Sequence, residues 1–234
     1  MNENEVCKMK EMVDVIYEDE HLLAVNKPSG VVTFKEDPSQ GTSLACMLEK
    51  RYPRIRGVGR ERSGAVHRLD KETSGVVLFA KNENVLSLLQ EEFFQRRVRK
   101  GYIALVFKRM KKDKVKISNL MGRSKKDRRK QTVKESDGRR AITIFRTIKK
   151  FENHTLLKVF PLTGRKHQIR CHLSHMGHPV AGEKLYRFKD QVDPPGLQRL
   201  FLHAKAIMIN TPNGKKVIKA GLPEDLKKVI KEIK

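Results

Sequence analysis

The chain of 234 residues carries 51 Lys+Arg against 27 Asp+Glu, so its formal net charge is 51 − 27 = +24 and its pI is about 10.1, a balance that directs a protein to polyanions. A hydrophobic fraction of 38% with ten Phe suits a domain-sized core and excludes a disordered tail. No apolar run exceeds the six residues Tyr102 to Phe107, far short of the ~20 that span a bilayer.

The first dozen residues read as a short tail without a signal peptide's hydrophobic stretch, so a soluble, cytoplasmic protein is expected. Three cysteines, Cys7, Cys46 and Cys171, show no CxxC spacing, which argues against a disulfide framework and a Cys-rich zinc site. Residues 13–19 and 21–27 read as two strands around an acidic turn, and Asn26-Lys27-Pro28-Ser29-Gly30 then breaks the pattern. A loop follows at Pro38 to Gly41. Ser43 is placed to cap a helix from Leu44 to Arg51 that Pro53 prevents from continuing, and Arg54 to Ser63 is a Gly- and Arg-rich loop.

Val76 to Lys81 predicts a buried strand, and Asn82 predicts the cap of a helix with Val85, Leu88, Leu89 and Phe93 on one apolar face. Lys100 to Lys108 predicts another strand. From Lys108 to Lys130 the chain holds twelve Lys/Arg and only two acids, Asp113 and Asp127, its strongest local charge bias. Strands are expected at 141–151 and 155–162, a helix over Thr163 to Gly177, and a strand at 201–210. Asn213-Gly214 is a hairpin signal, and Pro223-Glu224-Asp225 starts a last helix. Adjoining strands outnumber strand–helix–strand units. The expected fold is therefore α+β, one domain over residues 13–234 with a mixed, mainly antiparallel sheet flanked by helices.

Four polar clusters sit in or beside apolar elements: residues 26–30, His67 to Gly75, Thr163 to Arg170, and Arg199 to Ala204. Each has an ordinary explanation, because Pro-Ser-Gly and Thr-Ser-Gly are turn chemistry and an Asp near Arg and Lys forms a solvated pair. Read in order, HRLDKETSGVVLFAK (67–81) closely resembles the signature of the RluA-type pseudouridine synthases. The same order holds for that family's NKPSG, its Lys-x-Tyr strand (Lys100, Tyr102), its TGRxHQIRxH helix start, its Gly177-His178-Pro179 turn and its RLxLHA strand. The resemblance covers roughly residues 13–222. Phe34, Lys166 and Glu183 depart from the family's commonest residues, and a stand-alone catalytic domain without the S4-like RNA-binding domain that many relatives carry is expected.

The resemblance implies isomerisation of a specific uridine in rRNA or tRNA: the N1–C1′ bond breaks, the bound base turns, and C5 joins C1′. No redox change occurs, so no cofactor is expected, and the chain lacks GxGxxG and GxxxxGK[ST]. Asp70 matches the family's essential carboxylate, acting as nucleophile at C1′ or as base on a glycal route. Arg170 is implied as the guanidinium that keeps it ionised. Tyr102 is implied to stack on the uracil and take the C5 proton. Base flipping is expected, with Arg68 filling the vacated space or pairing with phosphate. His67, Lys27, Arg165 and Lys166 complete the expected RNA contacts, His67 and Leu69 also shaping the pocket wall. The basic block and the Arg54 to Arg62 loop would add phosphate contacts.

Two rival readings accompany this one. His167, His172, His175 and His178 raise a metal-dependent nuclease, but no Asp or Glu precedes Glu183 in that segment to complete a ligand set, and no metal is expected. A non-catalytic RNA-binding or ribosome assembly factor retaining the synthase fold is the alternative from another class. RNA is the expected partner and a monomer the expected state.

Overall fold

A computed structural model describes residues 13–35 and 41–234. The expected N-terminal tail, and most of the expected loop at Pro38 to Gly41, lie outside these residues. The described chain forms two compact units, each assembled from two stretches: residues up to Arg99 with Ala204–Gly221, and Lys100–His203 with Leu222–Lys234.

In the first unit, β1 (Asp14–Glu18), β2 (Leu22–Lys27) and β3 (Ser74–Ala80) lie side by side, followed by β9 (Leu202–Thr211), whose residues from Ala204 belong to this unit. β10 (Gly214–Lys219) pairs with β9 through the Asn213-Gly214 turn, with Gly214 at φ 82. The β1–β2, β2–β3 and β9–β10 pairs are antiparallel. β3 is buried along its whole length, which explains its unbroken apolar sequence. Helix α1 (Leu44–Arg51) starts where Ser43 accepts the Cys46 N–H and ends before Pro53, as expected. Helix α2 (Glu83–Phe94) is capped by Asn82, which accepts the Val85 N–H.

The apolar face of α2 differs from the expected one. Val85, Leu86 and Leu89 are buried with Leu78, Val76 and Ile207, whereas Leu88 points outward at 43% exposure. Glu92 shares the buried face because Arg97 Nε (2.7 Å) and Asn210 Nδ2 (2.8 Å) satisfy its carboxylate. A paired acid can occupy a position that the hydrophobic pattern reserves for leucine.

The second unit carries β4 (Arg99–Phe107, from Lys100 on), β5 (Lys114–Arg123), β6 (Gln131–Lys134), β7 (Arg139–Lys150) and β8 (His154–Pro161) in the order β4-β8-β7-β5-β6, every neighbour antiparallel. Helices α3 (Gln168–His175) and α4 (Glu224–Glu232) place Ile169, Leu173, Leu226 and Val229 in one core with Ala104, Phe145, Leu157 and Phe201. The fold class is α+β with a mainly antiparallel sheet, as the sequence implied. The Lys108 to Lys130 segment, noted in sequence only for its charge bias, contains strand β5 with Val115 and Ile117 turned to the core. One local expectation fails: the helix expected from Thr163 begins only at Gln168, with His167 left-handed at φ 53.

Gly75, second in β3, has φ 119, and a Cβ there would lie 2.3 Å from the Ala204 carbonyl oxygen and 2.6 Å from its nitrogen. Strand β9 can approach only because the side chain is absent. Gly75→Ala is expected to cost at least about 2 kcal/mol of unfolding free energy, read from urea denaturation, whereas Gly41→Ala, with open space around its Cβ, should cost less than about 1 kcal/mol.

Candidate functional site

Asp70 sits in an irregular stretch before β3, half-buried. Its carbonyl accepts the Thr73 N–H (3.0 Å), closing a tight turn. The NKPSG loop grips that turn at several points. Gly30 N–H and Lys27 Nζ both donate to the Lys71 carbonyl (2.9 and 3.0 Å), and Ser29 Oγ donates to that of Glu72 (2.7 Å). Thr33 Oγ1 accepts the Leu69 N–H at 3.2 Å. Two distant sequence motifs are thus one structural device that holds the Asp70 backbone.

Lys27 is a correction. Expected to meet RNA, its side chain is 0% exposed, and its ammonium donates to the carbonyls of Pro28 (2.8 Å), Val31 (2.7 Å) and Lys71 (3.0 Å). An ammonium has three N–H donors, and a buried one must spend them on protein acceptors. His67 is half-buried and accepts the Leu78 N–H at Nε2 (3.2 Å), with its ring stacked 4.9 Å from that of Phe93, so it ties the loop to β3 and α2. Arg68 is exposed. Its guanidinium lies 5.3 Å from the ring centroid of Phe34, which Arg62 also faces at 5.3 Å.

In the second unit, Tyr102 is half-buried on β4 opposite Val159, packed against the core. Lys100 shares its face two residues earlier and donates to the Thr163 carbonyl (3.2 Å), and burial pulls its ammonium down to about 8. The TGRKH segment is organised by Gln168, a role the sequence did not expose. Its Oε1 accepts from Thr163 Oγ1 (2.7 Å) and the Arg165 N–H (3.0 Å), while its Nε2 donates to the Ile142 carbonyl (3.1 Å) and Thr143 Oγ1 (2.9 Å). This side chain holds a non-helical entry, turned at Lys166 and His167, in place of a first helical turn.

That entry aims Arg170 inward from α3. Its Nε and Nη2 donate to Glu183 Oε2 (2.7 Å) and Oε1 (2.6 Å), a bidentate pair with side-chain exposures of 7% and 0%. Tyr186 lies beside the guanidinium, 5.5 Å to its ring centroid. Burial opposes ionisation of Glu183. Hydrogen bonds and charge from Arg170, with the N–H groups of Leu185 and Tyr186, outweigh it and hold the carboxyl below its ordinary range. The backbone turn at Gly182, φ 75, delivers Glu183, and a Cβ at Gly182 would meet the Arg199 carbonyl oxygen at 2.1 Å. In sequence Glu183 registers only as a departure from the commoner Asp. Its one signal is the glycine before it.

Arg165 is half-buried with Nε near the Arg140 carbonyl (3.3 Å), and Lys166 is exposed. Three of the four clustered histidines turn to separate partners: His167 Nδ1 to Tyr186 Oη, His172 Nδ1 to Thr143 Oγ1, and His178 Nδ1 to the Phe107 carbonyl. Burial lowers His172 to about 4, so it is a neutral imidazole. Burial also raises the Cys171 thiol to about 11, leaving it an inert core side chain. Among the described residues, no three His, Cys, Asp or Glu side chains are placed to hold a metal ion, and no helix is long and apolar enough to cross a membrane.

Residues 21–175, which span the Asp70 turn, Tyr102 and Arg170, match the family described as RNA pseudouridylate synthase. The chain belongs to the RNA pseudouridine synthases. It is 35% identical over 201 residues to a dual-specificity RNA pseudouridine synthase RluA of Vibrio cholerae, an alignment covering 86% of this chain and 78% of that one. It is 34% identical to a ribosomal large subunit pseudouridine synthase C of Vibrio vulnificus, covering 99% of this chain and 72% of the relative. The solved structure of human RNA pseudouridylate synthase domain containing 1 superimposes with a TM-score of 0.76 at 26% identity, covering 94% of this chain and 88% of that one. The synthase is an isomerase acting on RNA.

Glu183→Gln removes one charge of a buried pair, which costs about 3–5 kcal/mol. The pair's contribution is fully present above the carboxyl's unfolded-state value and is lost as pH falls through its lowered folded value. Urea titrations should therefore show a gap between wild type and Glu183→Gln that is constant near neutrality and closes in acid.

Proposed function

We propose that the synthase isomerises a specific uridine of ribosomal or transfer RNA, with Asp70 acting at the ribose of a flipped-out nucleotide. The observation that carries this reading is the Asp70 turn, whose backbone is fixed by Gly30, Lys27, Ser29, Thr33 and Thr73. A catalytic carboxylate needs such positioning more than it needs an exotic environment. The name of the Vibrio vulnificus relative, a ribosomal large subunit synthase, supports ribosomal RNA, and that of the Vibrio cholerae relative, a dual-specificity synthase, supports more than one RNA target.

In this mechanism Asp70 attacks C1′ or removes a proton to start a glycal route, and the N1–C1′ electron pair leaves with the uracil. The base turns without dissociating, and C5 bonds to C1′ as the Asp70–C1′ bond breaks or, on the glycal route, as Asp70 returns the ribose proton; Tyr102 accepts the C5 proton while N1 is protonated. The product has the atoms of the substrate, so no oxidant or reductant enters. Arg170, gripped by Glu183, is assigned as the third member of the catalytic set. Arg68, exposed beside Phe34, is assigned the space left by the flipped nucleotide or a phosphate next to it. The enzyme is assigned to the cytoplasm.

Tritium release from RNA labelled at uridine C5 tests the assignment, because closing the C5–C1′ bond expels that hydrogen. Total RNA from cells lacking this protein serves as substrate. Asp70→Ala is expected to lower release at least about 1,000-fold while changing RNA affinity less than about threefold, since phosphate contacts lie elsewhere. Tight RNA binding by wild type without release would instead favour a non-catalytic binding protein, and a joint fall of affinity and release in folded Asp70→Ala would remove the assigned role.

A further inference from the structure

Strand register divides the second unit's sheet into two chemically different faces. Tyr102 lies opposite Val159, Val159 opposite Phe145, and Phe145 opposite Val115, all turned to the core side. One residue along, the row on the reverse face reads Lys114, Arg146 and Lys158 across β5, β7 and β8, directly opposite one another. The next row on that face is Lys116, Ile144 and Phe160. All four cations are exposed. Arg146 lies 5.8 Å from the ring centroid of Phe160. Among the described residues, the nearby Asp113 is paired with Lys150 instead, and none of the four takes part in an ion pair.

Like charges placed directly opposite on adjacent strands oppose folding. Three in one row, repeated by a fourth about 7 Å along the strand and spread over about 10 Å across it, form a flat lattice of point charges with no acid between them. We propose that this face, opposite to that of Tyr102, is a second docking surface for the substrate RNA, holding phosphates of a segment remote from the target uridine. Lysine-rich point charges suit the phosphodiester backbone, which any sequence presents, and carry no base readout. The surface therefore serves grip and arrival rate, and leaves the choice of uridine to the catalytic side. The inference rests on RNA being the substrate and is independent of the role given to Asp70.

The test is the variant Lys116→Ala/Arg146→Ala/Lys158→Ala, assayed for RNA binding across salt concentrations and for C5 tritium release at saturating RNA. Loss of three phosphate contacts is expected to weaken binding at least about tenfold near 0.1 M salt and to flatten the slope of log affinity against log salt by roughly 2–3. Release at saturation should be unchanged, and thermal stability at low salt should be equal or higher because the like-charge row is gone. An unchanged affinity and slope would overturn the proposal. So would wild-type binding to phosphatidylglycerol vesicles that the triple variant loses while its RNA binding stays intact. If the variant binds as expected but neither protein releases tritium, the docking surface stands and the catalytic assignment fails.

Discussion

A buried ammonium must be surrounded by acceptors, and the Asp70 turn of this synthase is built on that constraint. Lys27 at the end of β2 has its charge inside the first unit, where carbonyls of Pro28, Val31 and Lys71 receive it. Two of those carbonyls belong to its own loop and the third follows Asp70 directly. Folding around the ammonium therefore fixes the backbone that carries the carboxylate, and Gly30, Ser29 and Thr33 add shorter-range locks. The second unit uses a guanidinium in the same spirit. Arg170 needs a planar, bidentate partner, and Glu183 provides it from a turn that Gly182 alone can make.

These two interior cations change how the charge of +24 should be understood. Lys27 and Arg170 direct their charge to protein partners inside the fold, and burial lowers the basicity of Lys100. The cations left outside include Arg68, Lys166 and the Lys114–Arg146–Lys158 row. Only the fold sorts one set from the other.

Much of the architecture was legible from local chemistry. Ser43, Asn82 and Pro53 marked helix ends because capping is a short-range hydrogen bond, and Asn213-Gly214 marked its hairpin because the turn needs positive φ. Motif order pointed to the family. The failures share one cause, tertiary partners that sequence spacing does not carry. Leu88 lost its place in the core to Leu86 once Glu92 found Arg97 and Asn210. Thr163 to His167 stayed non-helical because Gln168 bonds back across them to Thr163, Arg165 and β7. β5 was hidden because its core-facing residues alternate with lysines that the charge count dominated. Lys27 looked like an RNA ligand since nothing in NKPSG announces that its ammonium is enclosed.

The most direct measurement is the kinetics of Lys27→Met, a substitution of similar length without the charge, in protein that still melts cooperatively. The account predicts that kcat for C5 tritium release falls by about 100-fold, the scale of misplacing a reacting group by roughly 1 Å, while RNA affinity and its salt slope stay as in wild type. A variant that keeps wild-type kcat at saturating RNA, but binds RNA more weakly with a slope flattened by about 0.9, the signature of one lost phosphate contact, would contradict it.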